Sequence, residues 1–211
     1  MKSTLLKLAV LICFAAVNTA AFSDVLISEV MPDSSHDNGI TNDNGDWFEI
    51  TNTGVSNVSL SGWEWVDDDS GHARLAFPDI TIDAGQSIIC LEESSADDWL
   101  SSWGLSSSEI TVITDTDFGD FYGLGKSGDS VFLYDNTGAL ADSFTFTASS
   151  TGYSIDVFNG GVDSQLGVNG AWASDDIDGF SDIASPGTAV PEPLTLTLLA
   201  AGGLIIVRRK N

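Results

Sequence analysis

The sequence predicts an all-β fold, a sandwich or barrel of short strands, and three observations carry that expectation. From Asp24 to Phe158 the chain is a succession of β-rich runs cut at short intervals by Gly, Asn, Asp and Ser, a spacing that suits packed antiparallel strands better than an α/β alternation. A hairpin is legible in Ser130 to Tyr134, the loop Asp135-Asn136-Thr137-Gly138, and a return strand through Phe144 and Phe146. Its loop residues tolerate the backbone angles of a tight turn. Helix punctuation occurs once: Ser95 as N-cap, Asp97 and Asp98 in the first turn, Gly104 just past the end.

Taken in order, the expected strands are Val25 to Val30, Trp47 to Thr51, Trp63 to Val66, Ser87 to Leu91, Ile110 to Thr114, Ser130 to Tyr134, Asp142 to Thr147 and Ser154 to Phe158. The helix spans Ala96 to Trp103, with Trp99 and Trp103 on one face that should seal an edge or end of the sandwich. Residues 159 to 189 are rich in Gly, Asp and Ser, with Trp172 as the main apolar anchor. They should wrap the sheet as an irregular strand and then become a linker.

The two ends carry a different message. Lys2 and Lys7 precede a ten-residue apolar run, Leu8 to Val17, and the small residues Thr19-Ala20-Ala21 follow. That order is the pattern of a secretory signal peptide, helical in its apolar part, with cleavage after Ala21. At the other end Pro191-Glu192-Pro193 precedes the apolar stretch Leu194 to Val207 and the basic cluster Arg208-Arg209-Lys210. As a single transmembrane helix the stretch would reach about 21 Å, short of a hydrocarbon core of about 30 Å. The basic cluster should remain cytoplasmic and place the rest of the chain on the far side of the membrane.

Triplet, apolar segment and basic end together resemble the PEP-CTERM sorting signal of Gram-negative bacteria. The resemblance implies an exosortase as processing partner, alongside the secretion machinery. It also implies export across the inner membrane, a transient anchor there, and delivery to the cell surface or beyond. The expected division is a signal peptide at 1–21, a domain at 22–188 and the sorting signal at 189–211.

Composition narrows the function classes. Five of the seven basic residues lie in the two ends, leaving Arg74 and Lys126 against every acidic residue of the 31 except Glu192. Such a field repels phosphate, so nucleic acid is excluded as a partner, and metal cations or basic partners are favoured. Cys90 is the sole cysteine of the exported part, and Ile88-Ile89-Cys90-Leu91 reads as core strand.

Gly128-Asp129-Ser130-Val131 imitates an esterase nucleophile motif, but its serine leads into a strand rather than a helix, and both histidines, His36 and His72, lie upstream. Carboxylates are too many for any glycosidase-like pair to stand out. Glu29 and Glu49, each within a strand, should face outward by alternation. Calcium suits the oxygen-rich loops. The candidate ligands are Asp33, Asp37, Asp43 and Asp46 before the second strand and Asp115, Asp117 and Asp120 before the hairpin, with Asp67, Asp68 and Asp69 as a further cluster; none has EF-hand spacing.

Val25-Leu26-Ile27-Ser28-Glu29-Val30-Met31-Pro32, Asp46-Trp47-Phe48-Glu49-Ile50, Asn52, Gly54 and Leu60-Ser61-Gly62-Trp63 resemble the opening strands of the lamin-tail domain. Gly128-Asp129-Ser130-Val131-Phe132-Leu133, Gly138, Asp142-Ser143, Gly152-Tyr153-Ser154, Trp172 and Ser185-Pro186-Gly187 continue in that family's order. The resemblance implies an immunoglobulin-like β-sandwich used mostly as an interaction module, found in bacteria in secreted proteins and sometimes beside hydrolase domains. The resulting expectation is an exported, non-catalytic binding or structural domain of the cell surface or extracellular matrix, with polysaccharide or other surface proteins as partners. The alternative is a secreted hydrolase with a carboxylate site that the sequence does not locate.

Overall fold

The computed structural model describes residues 24–35, 45–68, 71–175 and 179–188. The expected signal-peptide helix, the C-terminal transmembrane helix, the processing residues at both ends, and Asp37, Asp43 and Asp69 lie outside the described residues. Among the described residues, no helix is long and apolar enough to cross a membrane.

The described residues form fourteen strands and two helices in order: β1 (Val25–Met31), β2 (Trp47–Asn52), β3 (Val58–Ser59), β4 (Glu64–Val66), β5 (Leu75–Ala76), β6 (Thr81–Ile82), β7 (Ser87–Leu91), α1 (Ala96–Ser102), β8 (Thr111–Thr114), α2 (Asp115–Phe118), β9 (Asp129–Tyr134), β10 (Leu140–Phe146), β11 (Ile155–Asp156), β12 (Val162–Asp163), β13 (Trp172–Ala173) and β14 (Ile183–Ala184). A six-stranded sheet runs β12-β11-β1-β2-β7-β8, and a four-stranded sheet runs β10-β9-β4-β5. The chain is therefore a β-sandwich, as its strand spacing predicts. Each expected strand exists within a few residues, and the expected hairpin is β9 and β10. Its loop closes through Asp135 Oδ1, which accepts from Thr137 N and Ala139 N, with Gly138 at φ +79°.

The core between the sheets draws on both. Val25, Ile27, Val30, Phe48, Ile50, Ile88, Cys90 and Ile113 from the larger sheet meet Trp65, Leu75, Val131, Leu133 and Phe146 from the smaller. Phe48, Trp65 and Phe121 form its aromatic centre, with Trp65 4.8 Å from Phe48 and 4.6 Å from Phe121. Cys90 occupies the core position expected of it, and burial pushes its thiol well above the ordinary range.

The helix differs from expectation in its place. α1 packs not at an edge of the sandwich but on the outer face of the larger sheet, where Trp99 and Trp103 join Met31, Trp47, Ile89, Leu91 and Ile110 in a second core. The cause is topological: β7 and β8 pair in parallel, and parallel neighbours need a crossover, which α1 supplies. The residues after β12 complete this cover. β13 and β14 pair there, and Trp172 sets its indole edge-on to Trp103 at 5.8 Å. The larger sheet is thus buried on both faces, a fact that decides the character of the site.

Candidate functional site

Strand β1 carries a bulge. Ile27 faces Ile50 and Glu29 faces Glu49 in the register, so two residues of β1 span a single step of β2. A bulge of this kind turns two successive side chains to one face. Here Ser28 and Glu29 both point to the outer face, while Ile27 and Val30 stay in the inner core. On β2, Glu49 and Thr51 point the same way, and β7 adds Ser87.

Glu29 and Glu49 are therefore neighbours, and both are completely buried. The outward orientation expected from alternation is overturned. Alternation does hold along β2, but the face it assigns to Glu49 is roofed by the C-terminal segment instead of water.

Each carboxylate is embedded in donors. Glu29 Oε1 accepts from Ser154 Oγ at 2.5 Å, Ser185 N at 2.8 Å, Ser185 Oγ at 3.2 Å and Ser164 Oγ at 3.3 Å. Its Oε2 is buried with no hydrogen-bond partner among the described residues. Glu49 Oε1 accepts from Ser28 Oγ at 2.5 Å and Thr51 Oγ1 at 3.3 Å, and Oε2 from Gly187 N at 2.5 Å. Burial first, and then repulsion by Glu49, raise Glu29 to about 8. Burial raises Glu49 to about 7 against the lowering effect of its donors. The physical cause is the loss of water around a charged group, which favours the neutral acid.

A second, open feature lies at the end of the sandwich. Asp46, Asp67, Asp68, His72, Tyr122 and Asp129 line a cleft of about 370 Å³. His72 Nδ1 meets Asp67 Oδ2 at 2.6 Å, and its ring stacks on Tyr122 at 3.9 Å between centroids. The loop Gly123 to Gly128 is pinned by carboxylates: Leu124 N donates to Asp46 Oδ2 at 2.8 Å, and Gly125 N to Asp129 Oδ2 at 2.7 Å. Asp129 belongs to the esterase-like motif, but Ser130 Oγ is spent on Thr145 Oγ1 at 2.8 Å and the residue is buried.

The candidate calcium ligands among the described residues lie in separate places. Asp46 and the Asp67-Asp68 pair share the cleft, whereas Asp33 bonds Thr151 Oγ1 and faces Lys126 Nζ at 3.6 Å. Asp115 and Asp117 sit in α2, where Asp117 accepts from the Thr114 amide and hydroxyl, and Asp120 follows that helix. Among the described residues, no three His, Cys, Asp or Glu side chains are grouped to hold a metal.

A family model described as Lamin Tail Domain matches residues 18–148. The chain belongs to the lamin tail domain family. A search of curated proteins finds no match. The match spans β1 to β10, so both sheets of the sandwich except β11 and β12 are within it.

What lies beyond the lamin tail match is the roof. Ser154, Ser164, Ser185 and Gly187, which hold the carboxylate pair, all follow residue 148. In this lamin tail domain the segment expected to be an irregular wrap is thus the lid of a buried polar network. Nothing in its Gly-, Asp- and Ser-rich composition announces that role, because serines that donate to buried carboxylates look like loop serines.

Proposed function

We propose that this lamin tail protein is an exported, non-catalytic binding or structural domain of the cell surface or extracellular matrix, delivered through an exosortase. The observation that carries the reading is the pairing of the two patterned ends, residues 2–21 and 191–210, around a single acidic domain. Each end assigns the domain to the far side of the inner membrane by a separate physical rule. The site adds support. Glu29 and Glu49, the carboxylates best tuned for acid–base chemistry, are sealed away from any substrate, so their network serves the fold. The acidic cleft and loops remain to meet a basic partner or calcium. Mass spectrometry of the mature protein from culture medium and envelope fractions tests the delivery: an N-terminus at Phe22 and a C-terminus near Pro191 are expected. The intact chain in the cytosol would refute it.

The competing reading, a secreted hydrolase, has one specific place to stand. His72 with Asp67 is an imidazole–carboxylate pair at the edge of open space. Turnover of polysaccharide or ester substrates by the purified protein, abolished by His72→Ala, would favour it over the binding domain.

A further inference from the structure

The last described stretch of chain, β14 and the turn Ser185-Pro186-Gly187, reaches the larger sheet through two carboxyl groups. Ser185 N and Oγ end on Glu29 Oε1, and Gly187 N ends on Glu49 Oε2. Beneath it the sheet is tied by continuous ladders, with β2 paired on both sides. Among the described residues the backbone of the strap is tied by the two-residue pairing of β14 with β13, the bridge from Ile183 to Tyr153, and the bonds Ser154 N to the Ile183 carbonyl and Ile183 N to the Gly152 carbonyl, and its Ala184 is buried.

The charges around the pair are all of one sign. Glu49 faces Glu29 from β2, and Asp156 stands opposite it on β11, its carboxylate taken by Asn159 N and Asn169 Nδ2. Asp163 on β12 accepts from Ser150, and Asp182 before β14 accepts from Ser34 and Ser35. Strand β7 contributes only the hydroxyl of Ser87. Of the basic side chains described, Arg74 lies over Tyr134, Lys126 faces Asp33 and His72 pairs with Asp67. No cation among the described residues offsets a second negative charge in this pocket. Glu29 also keeps all its donors on Oε1, leaving Oε2 buried and, among the described residues, unpartnered. An ionised Oε2 needs water, and the strap, which lies directly on Glu29 through Ser185, is a cover whose lifting would admit it.

We propose that Glu29 and Glu49 form a proton-held clasp on the C-terminal strap, residues 183–188, seating it while the pair keeps a proton and releasing it as that proton is lost. The raised affinity of both groups for protons agrees with this: it comes first from burial beneath the strap, which outweighs the opposing hydrogen bonds from Ser185 and Gly187. Ser185 stands six residues before Pro191, so the clasp governs whether the root of the C-terminal segment is held against the domain.

The test is amide hydrogen exchange on the full chain in detergent micelles at pH 6 and pH 8, corrected for intrinsic exchange chemistry. For each proton the closed strap holds and the open one does not, opening rises about tenfold per pH unit. Protection at Ser185 and Gly187 should therefore fall about 100-fold or more over this interval. It should also be lower than at Phe48 and Ile50 of β2 at both values. The double variant Glu29→Gln with Glu49→Gln should lose the pH dependence. Unchanged protection in the wild type overturns the proposal, and so does protection equal to that of β2 at both pH values, which would mean that the strap opens only by global unfolding. If the double variant does not fold, carbon-13 titration of the two glutamates in the wild type decides: titration of at least one above pH 6 supports the clasp, and titration of both below pH 6 overturns it.

Discussion

Replacing Ser154 by alanine should destabilise the domain, and by an amount that depends on pH. The side chain is completely buried, and its hydroxyl donates to Glu29 Oε1 at 2.5 Å while meeting Ser164 Oγ at 2.7 Å. Its bond to Glu29 opposes the rise in that group's proton affinity, so it favours the ionised form. A hydrogen bond to a neutral acceptor is worth about 1 kcal/mol net, and one to a charged acceptor roughly 1.5 to 3 kcal/mol. Ser154→Ala should therefore cost about 1 kcal/mol at pH 5, where Glu29 is protonated in the folded state, and roughly 1.5 to 3 kcal/mol at pH 9, where it is ionised. Urea unfolding followed by tryptophan fluorescence measures both, since Trp47, Trp99 and Trp103 lie in the adjoining core. In a Glu29→Gln background the two losses should become equal. Equal losses in the wild-type background would refute the claim that Ser154 acts through the charge on Glu29.

Three further outcomes follow from the same structure. Because the folded proton affinities of Glu29 and Glu49 are raised, the stability they confer is fully present below about pH 4.5 and is lost as pH rises through about 7 and 8. Unfolding free energies from urea titrations should fall from pH 5 to pH 9 by up to about 1.4 kcal/mol per pH unit for each proton involved, and a flat or rising profile would contradict this. A chain ended at Ala148, where the family match stops, should fail to unfold cooperatively, because it lacks the partners of Glu29 and exposes Trp47 and Trp103; native-like melting of that fragment would show that the roof is dispensable. Gly128→Ala should destabilise by roughly 2 kcal/mol or more, as the residue has φ +127° and an added Cβ would lie 2.7 Å from the Thr147 carbonyl oxygen, and an unchanged melting temperature would refute that.

The strands of the inner core were legible because their apolar residues and turn signals agree. Trp65, Val131 and Leu133 meet Phe48 and Ile50 much as alternation and hairpin chemistry expect. The two-residue strands β3, β5, β6 and β12 to β14 were not legible, since two residues carry no period and their pairing is set by the sheet they join. Helix α2 escaped for a similar reason. It is four residues long and held by Thr114 and Asp117 as a capping box, which in sequence looks like one more acidic loop.

Simple alternation misplaces the carboxylate pair, although the sequence holds the signals that place it correctly. On β7, Ile88-Ile89-Cys90-Leu91 is apolar without alternation, as a strand covered on both faces should be. That alone argues against a solvent face for its neighbours. On β2, Trp47 has the same parity as Glu49, so any face that exposes the glutamate would expose the tryptophan. On β1 the apolar parity shifts between Ile27 and Val30 across the polar pair Ser28-Glu29, the mark of an inserted residue. Together these place two glutamates on a covered face opposite one another, with no basic residue nearby in the chain to neutralise them. Two carboxyl groups so placed must either hold protons or gather donors, and the serines of the C-terminal segment are what the fold brings to them. The acid-favoured stability and the clasp on residues 183–188 both depend on that shared covered face: deletion of Ser28 would restore regular alternation with Glu29 still on the outer face between Ile27 and Val30, so the fall of stability with rising pH should survive it, and loss of that fall would count against this account.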